Sequence, residues 1–169
     1  MSKGKVYLIG AGPGDVKLIT VKGLECIQKA DVIVYDRLAN PRLLSYRKPE
    51  AKLIYVGKSP DRHTLTQDEI NRVLVEEGLK GNIVARVKGG DPYVFGRGGE
   101  EGEELRKAGV AFEEVPGITS AISVPAYAGI PITHRDFTST FTVITGHEEP
   151  GKETSNINWL RLAQDPGTL

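Results

Sequence analysis

A chain of 169 residues with 39% hydrophobic content is long enough to bury a core, and its length allows one domain or two small ones. Twenty-two basic residues balance twenty-two acidic ones, which excludes a global field that would gather nucleic acid or an anionic membrane; an anionic ligand has to be held by a local cluster. Cys26 is the single cysteine, so an internal disulfide and a multi-thiolate zinc site are excluded, and a reducing compartment fits.

The start, Met1-Ser2-Lys3-Gly4-Lys5, runs into a strand pattern rather than a signal-peptide apolar region, and no apolar run approaches bilayer-spanning length. A cytoplasmic protein with no nucleic-acid or membrane partner is expected. Short β-rich runs then alternate with helical stretches, the pattern of an α/β fold with a parallel sheet covered by helices. Residues 6–9 form the first expected strand. The Gly-rich turn Gly10-Ala11-Gly12-Pro13-Gly14-Asp15 follows, then a helix over 18–30 in which Leu24 and Ile27 fall at helical spacing and Cys26 sits in the core. Residues 31–36 are continuously apolar between two aspartates, as buried parallel strands are, and 52–56 is a third strand. Thr66-Gln67-Asp68-Glu69 is a capping-box pattern opening a helix with Ile70, Val73 and Leu74 inward. Residues 82–87 are the fourth strand, 100–108 an acidic helix closed by Gly109, and 112–115 a further strand.

After Pro116-Gly117 the texture turns small and apolar over 118–130, which places a domain boundary there: 1–116 and 117–169. A strand over 139–145 and an amphipathic stretch around Trp159, Leu160 and Leu162 follow. One strand and one helix cannot make an α/β layer, so the second domain reads as incomplete.

Open parallel sheets place ligands at the carboxyl ends of their strands. The residues there are Gly10 to Asp15, Asp36-Arg37, Gly57-Lys58 and Gly89-Gly90-Asp91. A dinucleotide fingerprint would need glycine where Asp15 stands, and Pro13 removes an N–H that a pyrophosphate would use, so a cofactor without phosphate fits better. S-adenosylmethionine is one such cofactor. Arg97, in Phe95-Gly96-Arg97-Gly98-Gly99, and Arg135 offer planar forks suited to carboxylates, which hints at a polycarboxylate substrate. His63, His134 and His147 have no metal-ligand spacing, and no metal site is expected.

Six segments in order, Gly10 to Asp15, Val34-Tyr35-Asp36-Arg37-Leu38, Val56-Gly57-Lys58, Val87 to Glu101, Val115-Pro116-Gly117-Ile118-Thr119-Ser120-Ala121 and Pro131-Ile132-Thr133-His134-Arg135, closely resemble the tetrapyrrole methylases. Tyr35 to Leu38 and Phe95 to Glu101 are most similar to the branch that acts on uroporphyrinogen III. The resemblance implies the tetrapyrrole methylase fold, with two α/β domains, a cofactor cleft between them and a homodimer. It assigns S-adenosylmethionine contacts to Pro13, Gly89, Gly90, Asp91, Val94, Thr119 and Ser120. It matches Asp36 to a proton acceptor and Lys58 to a proton donor, and Arg97, Glu100 and Arg135 to substrate positions. Arg97 thus joins Asp36 and Lys58 in the expected catalytic set, although a guanidinium is suited to holding a carboxylate rather than to taking a proton.

Overall fold

The structure is a computed structural model that describes residues 4–57, 65–146, 155–165 and 167–168. Lys58, His63 and His147 lie outside the described residues. The chain divides into two compact units, Met1–Ser120 and Ala121–Leu169.

The first unit is built on a parallel sheet of five strands, β1 (Lys5–Gly10), β2 (Val32–Tyr35), β3 (Lys52–Tyr55), β4 (Ile83–Lys88) and β5 (Ala111–Val115), in the order β3-β2-β4-β1-β5. Each falls on a segment expected to be a strand, the first four as short apolar or β-branched runs and β5 despite Glu113 and Glu114. Helices cover both faces. On one, α1 (Val21–Lys29) packs Cys26 and Ile27 against Ile9, Ile33, Ala85 and Val87; on the other, α2 (Gln67–Leu79) and α3 (Gly98–Lys107) bring Ile70, Leu74 and Leu105 onto Val6, Leu8, Val32, Val34 and Val84. The alternation of faces along each strand follows the two-residue period of the extended chain.

The helix expected over 18–30 is divided. Val16–Leu18 is a 3-10 turn, and α1 starts after Thr20, whose hydroxyl accepts from the Gly23 N–H at 3.1 Å and satisfies one of the free donors at the helix start. The capping box is present at α2: Thr66 Oγ1 accepts from the Glu69 N–H, and the Glu69 carboxylate accepts from the Thr66 N–H at 2.7 Å. Gly109 ends α3 with φ +69°, the left-handed conformation a helix stop favours.

α4 (Ser120–Tyr127) carries Pro125 inside it, and α5 (Trp159–Leu162) is the short amphipathic turn around Trp159. The strand expected over 139–145 is not formed. Phe141 makes an isolated parallel bridge with Thr168: the Thr142 N–H donates to Thr168 O at 2.9 Å and the Thr168 N–H to Thr140 O at 3.2 Å, while the Thr140 hydroxyl donates to Asp165. A strand is extended by a ladder of partners, and a single bridge among the described residues supplies none. No helix of the described residues is long and apolar enough to cross a membrane.

Candidate active site

The strand order determines where a ligand can sit. From β1 the chain crosses by α1 toward β2, and from β4 it crosses by α3 toward β5, so the connections of the adjacent strands β1 and β4 leave in opposite directions and over opposite faces. Such a switch point opens a crevice at the carboxyl ends of the two strands. The loops there are Gly10 to Asp15 and Gly89 to Pro92, both glycine-rich.

These loops are tied by main chain. The Gly12 N–H donates to Gly90 O at 3.2 Å, the Gly90 N–H returns to Gly12 O at 2.8 Å, and the Ala11 N–H reaches Lys88 O at 2.7 Å. Gly12 at φ +78° and Gly90 at φ +65° occupy a region that side chains rarely adopt. A Cβ placed on Gly90 would meet only Thr119 Cα, at 3.9 Å, so the glycine leaves a small open seat beside Thr119. Asp91 closes the third side: one carboxylate oxygen accepts from the Tyr93 N–H at 2.8 Å and the other from the Gly117 N–H at 2.9 Å, joining the β4 loop to the β5 exit.

Pro13, Gly89, Gly90, Asp91 and Thr119 are therefore gathered around one strand-end crevice, with Ser120 at the start of α4. Val94 lies in the exposed loop between Asp91 and α3. In that loop Phe95 and Arg97 both adopt positive φ, 54° and 59°, strained for residues with side chains and found where function holds the backbone. Arg97 is exposed, and its guanidinium forks onto Glu100 through Nε at 2.8 Å and Nη2 at 2.6 Å. That hydrogen bond raises the Arg97 pKa and holds the Glu100 carboxyl below the usual range. Arg135 is exposed in the His134–Thr138 turn of the second unit.

Asp36 follows β2 and packs its turn against the β4 loop, where Leu38 abuts Gly89. Its Oδ1 accepts from the Leu38 N–H at 2.9 Å and its Oδ2 from Arg86 Nη2 at 3.1 Å. Arg86 was not among the expected site residues. It is 3% exposed, and its Nε donates to Glu101 Oε1 at 3.1 Å; Lys88 Nζ meets the same oxygen at 2.8 Å. Burial, reinforced by the Arg86 charge, holds the Lys88 ammonium below the usual lysine range. The signal was present in the sequence: Arg86 and Lys88 interrupt, two residues apart, a strand that is otherwise apolar, so both fall on one face and require buried counter-charges. No group of three or more His, Cys, Asp or Glu among the described residues could hold a metal ion.

Fold and site together define a doubly wound α/β domain that presents backbone groups and the half-buried carboxylates of Asp36 and Asp91 at its switch point. Comparison with known proteins makes this narrower. The profile of the tetrapyrrole (corrin/porphyrin) methylases matches residues 5–169. A uroporphyrinogen-III C-methyltransferase of Priestia megaterium is 57% identical over 98% of this chain and 69% of its own length, and one of Bacillus subtilis is 54% identical over 100% of this chain and 35% of its own. The crystal structure of uroporphyrin-III C-methyl transferase from Thermus thermophilus complexed with S-adenyl homocysteine superposes with a TM-score of 0.69 and 44% identity, covering 81% of this chain and 57% of that one. The chain belongs to the tetrapyrrole methylase family. It spans between about a third and about two thirds of the length of these relatives.

Proposed function

We propose that the protein containing this chain transfers methyl groups from S-adenosylmethionine to carbon atoms of uroporphyrinogen III, giving precorrin-2 by way of precorrin-1. The observation that carries this reading is the pair of glycine loops after β1 and β4, tied by main-chain hydrogen bonds at the switch point of the sheet, with the Asp36 turn packed on Gly89. Its fit to the cofactor is chemical: a phosphate-free ligand needs no anion-binding N–H from Pro13 and tolerates the carboxylate of Asp15. The seat beside Gly90 admits a ligand where any Cβ would intrude. The Thermus thermophilus relative was crystallised with the demethylated product, which supports the same pocket chemistry.

Pro13, Gly89, Gly90, Asp91, Val94, Thr119 and Ser120 would hold the cofactor. When bound, it supplies a methyl group made electrophilic by a sulfonium. The chain's own residues contribute position and proton handling. Holding two reactants in line can lower a barrier by roughly 7–11 kcal/mol, whereas a placed acid or base adds about a hundred- to ten-thousand-fold in rate. Asp36, beside the glycine loops, accepts the proton that leaves the ring system once the new carbon–carbon bond has formed, which balances the transfer; the proton-donor role of Lys58 is carried by the family resemblance alone. Arg97, exchanging Glu100 for a substrate carboxylate, and Arg135 engage the acidic side chains of the tetrapyrrole. A homodimer, with residues 117–169 opening a second α/β domain, completes the reading that the family resemblance supports, and a cytoplasmic setting fits the single cysteine.

The test is calorimetry with the protein at its natural length. Arg97→Ala is expected to weaken tetrapyrrole binding by tenfold or more, on the order of one charge-assisted pair, while S-adenosylhomocysteine binds as before. Equal loss of both affinities would remove Arg97 from the substrate site.

A further inference from the structure

Four charged side chains lie together where the reaction edge meets the core. Arg86 and Lys88 stand on the α2/α3 face of β4, the middle strand of the sheet. Glu101 of α3 is 0% exposed and accepts from both through Oε1, with Gln67 at 3.4 Å from the same oxygen. Its Oε2 is buried with no hydrogen-bond partner among the described residues. Arg86 also donates Nη1 to Val87 O at 3.3 Å and Nη2 to Asp36. Two cations and two carboxylates cancel, yet such a cluster is a poor stabilising device, because apolar side chains of similar volume commonly serve a core as well or better. The orphaned oxygen makes it poorer still. What distinguishes the cluster is its outlet: Asp36, with 22% of its side chain exposed, is the one member that reaches the strand-end crevice.

We propose that Arg86, braced from behind by Glu101, is the positioning residue that fixes the Asp36 carboxylate for proton transfer. The hold is at two points. The Leu38 N–H takes Oδ1 and the Arg86 guanidinium takes Oδ2, so neither χ1 nor χ2 of Asp36 can turn without breaking a bond. Glu101 in turn orients the guanidinium through Nε, and Lys88 pins Glu101. The chain of contacts runs from α3 through β4 to the end of β2, so helix packing on that face determines where the proton acceptor points. This inference rests on Asp36 being the acceptor.

The experiment uses the protein at its natural length and a double-substitution cycle. Arg86→Gln is expected to lower kcat about ten- to a hundredfold, a large share of what a placed base contributes, with calorimetric affinity for S-adenosylhomocysteine unchanged. In an Asp36→Asn background the same substitution is expected to change kcat less than about twofold, because both act through one carboxylate. Independently of activity, Arg86→Gln should accelerate hydrogen exchange of the Leu38 amide about tenfold, as the carboxylate that protects it is released. Arg86→Lys, which keeps the charge but not the fork, carries the same readouts if Arg86→Gln does not fold. Additive losses in the cycle, or an unaltered Leu38 exchange rate, would overturn the positioning role. A wild type with no methyl transfer, but with Leu38 exchange responding as expected, would overturn the proposed activity and leave the two-point hold standing.

Discussion

Gly117→Ala isolates the contact that draws three strand ends together. A Cβ built at residue 117 lies 2.5 Å from Gly10 Cα and closer still to Gly90 O, whereas real Cβ atoms essentially never approach below 3.0 Å. Both obstacles are main chain, so no side chain can swing aside. Overpacking of this kind costs about 1–3 kcal/mol. The displaced Gly117 N–H also loosens its bond to Asp91, a charge-assisted interaction of roughly 1.5–3 kcal/mol. Together the loss is about 2.5–6 kcal/mol, large against a total stability of about 5–15 kcal/mol, and at roughly 2–4 °C per kcal/mol it lowers Tm by about 5–24 °C. Gly99→Ala is the matched control: its added methyl meets nothing within 4 Å on an exposed position of α3, so helix propensity should stabilise by about 0.5–1 kcal/mol. Calorimetric melting of both variants decides the matter. A Gly117→Ala protein melting within about 2 °C of the wild type, no more than about 1 kcal/mol on this scale, would show that the strand ends are not pressed together as described.

Other consequences are within reach of simple measurements. Hydrogen bonds from Lys22 and Lys5 hold the Glu113 carboxyl well below its ordinary 4.5, at about 2. Because the folded value is depressed, the resulting stability is present above pH 4.5 and is lost as pH falls toward about 2. Glu113→Gln should therefore show a shallower loss of stability across that window at low salt, and 1 M salt should reduce the difference; parallel acid titrations would contradict it. Burial raises the Cys26 thiol pKa, with Glu113 adding to the effect, so a thiol reagent should modify Cys26 only in step with unfolding by urea. Rapid modification of the native chain would place Cys26 outside the α1 core. Thr66→Ala removes the capping box of α2 and should cost about 1 kcal/mol in urea unfolding, whereas no change would mean that the box does not hold the helix start.

Most of the sheet was legible because its strands are short, mainly apolar or β-branched and bounded by turn residues, and the capping box and Gly109 marked their helix ends by chemistry local to a few residues. The missing strand at 139–145 shows the limit of that reasoning: β-propensity describes a segment, but a strand requires a partner. At the site, the glycine loops and Asp36 could be read from their positions after strands, and the Asp91 latch onto Gly117 could not, since it spans residues far apart in sequence. The pairing of Arg86 with Glu101 escaped for a related reason. The pair Arg86 and Lys88 in an otherwise apolar strand signals buried counter-charges, but Glu101 looks ordinary on an acidic helix, and its place opposite them comes only from α3 packing on β4, the middle strand of the sheet. The Arg97–Glu100 fork also changes the picture of Arg97 as a cation waiting for substrate, because its Nε and Nη2 are already engaged and a bidentate substrate carboxylate on that edge has to displace Glu100.

The central claim is methyl transfer to a tetrapyrrole carbon at the β1–β4 crevice, and its most direct test is incubation of the natural-length protein with methyl-labelled S-adenosylmethionine and uroporphyrinogen III. The account predicts label bound to ring carbon in the product and its loss in Asp36→Asn. Tight binding of S-adenosylhomocysteine with no label in the tetrapyrrole would contradict it.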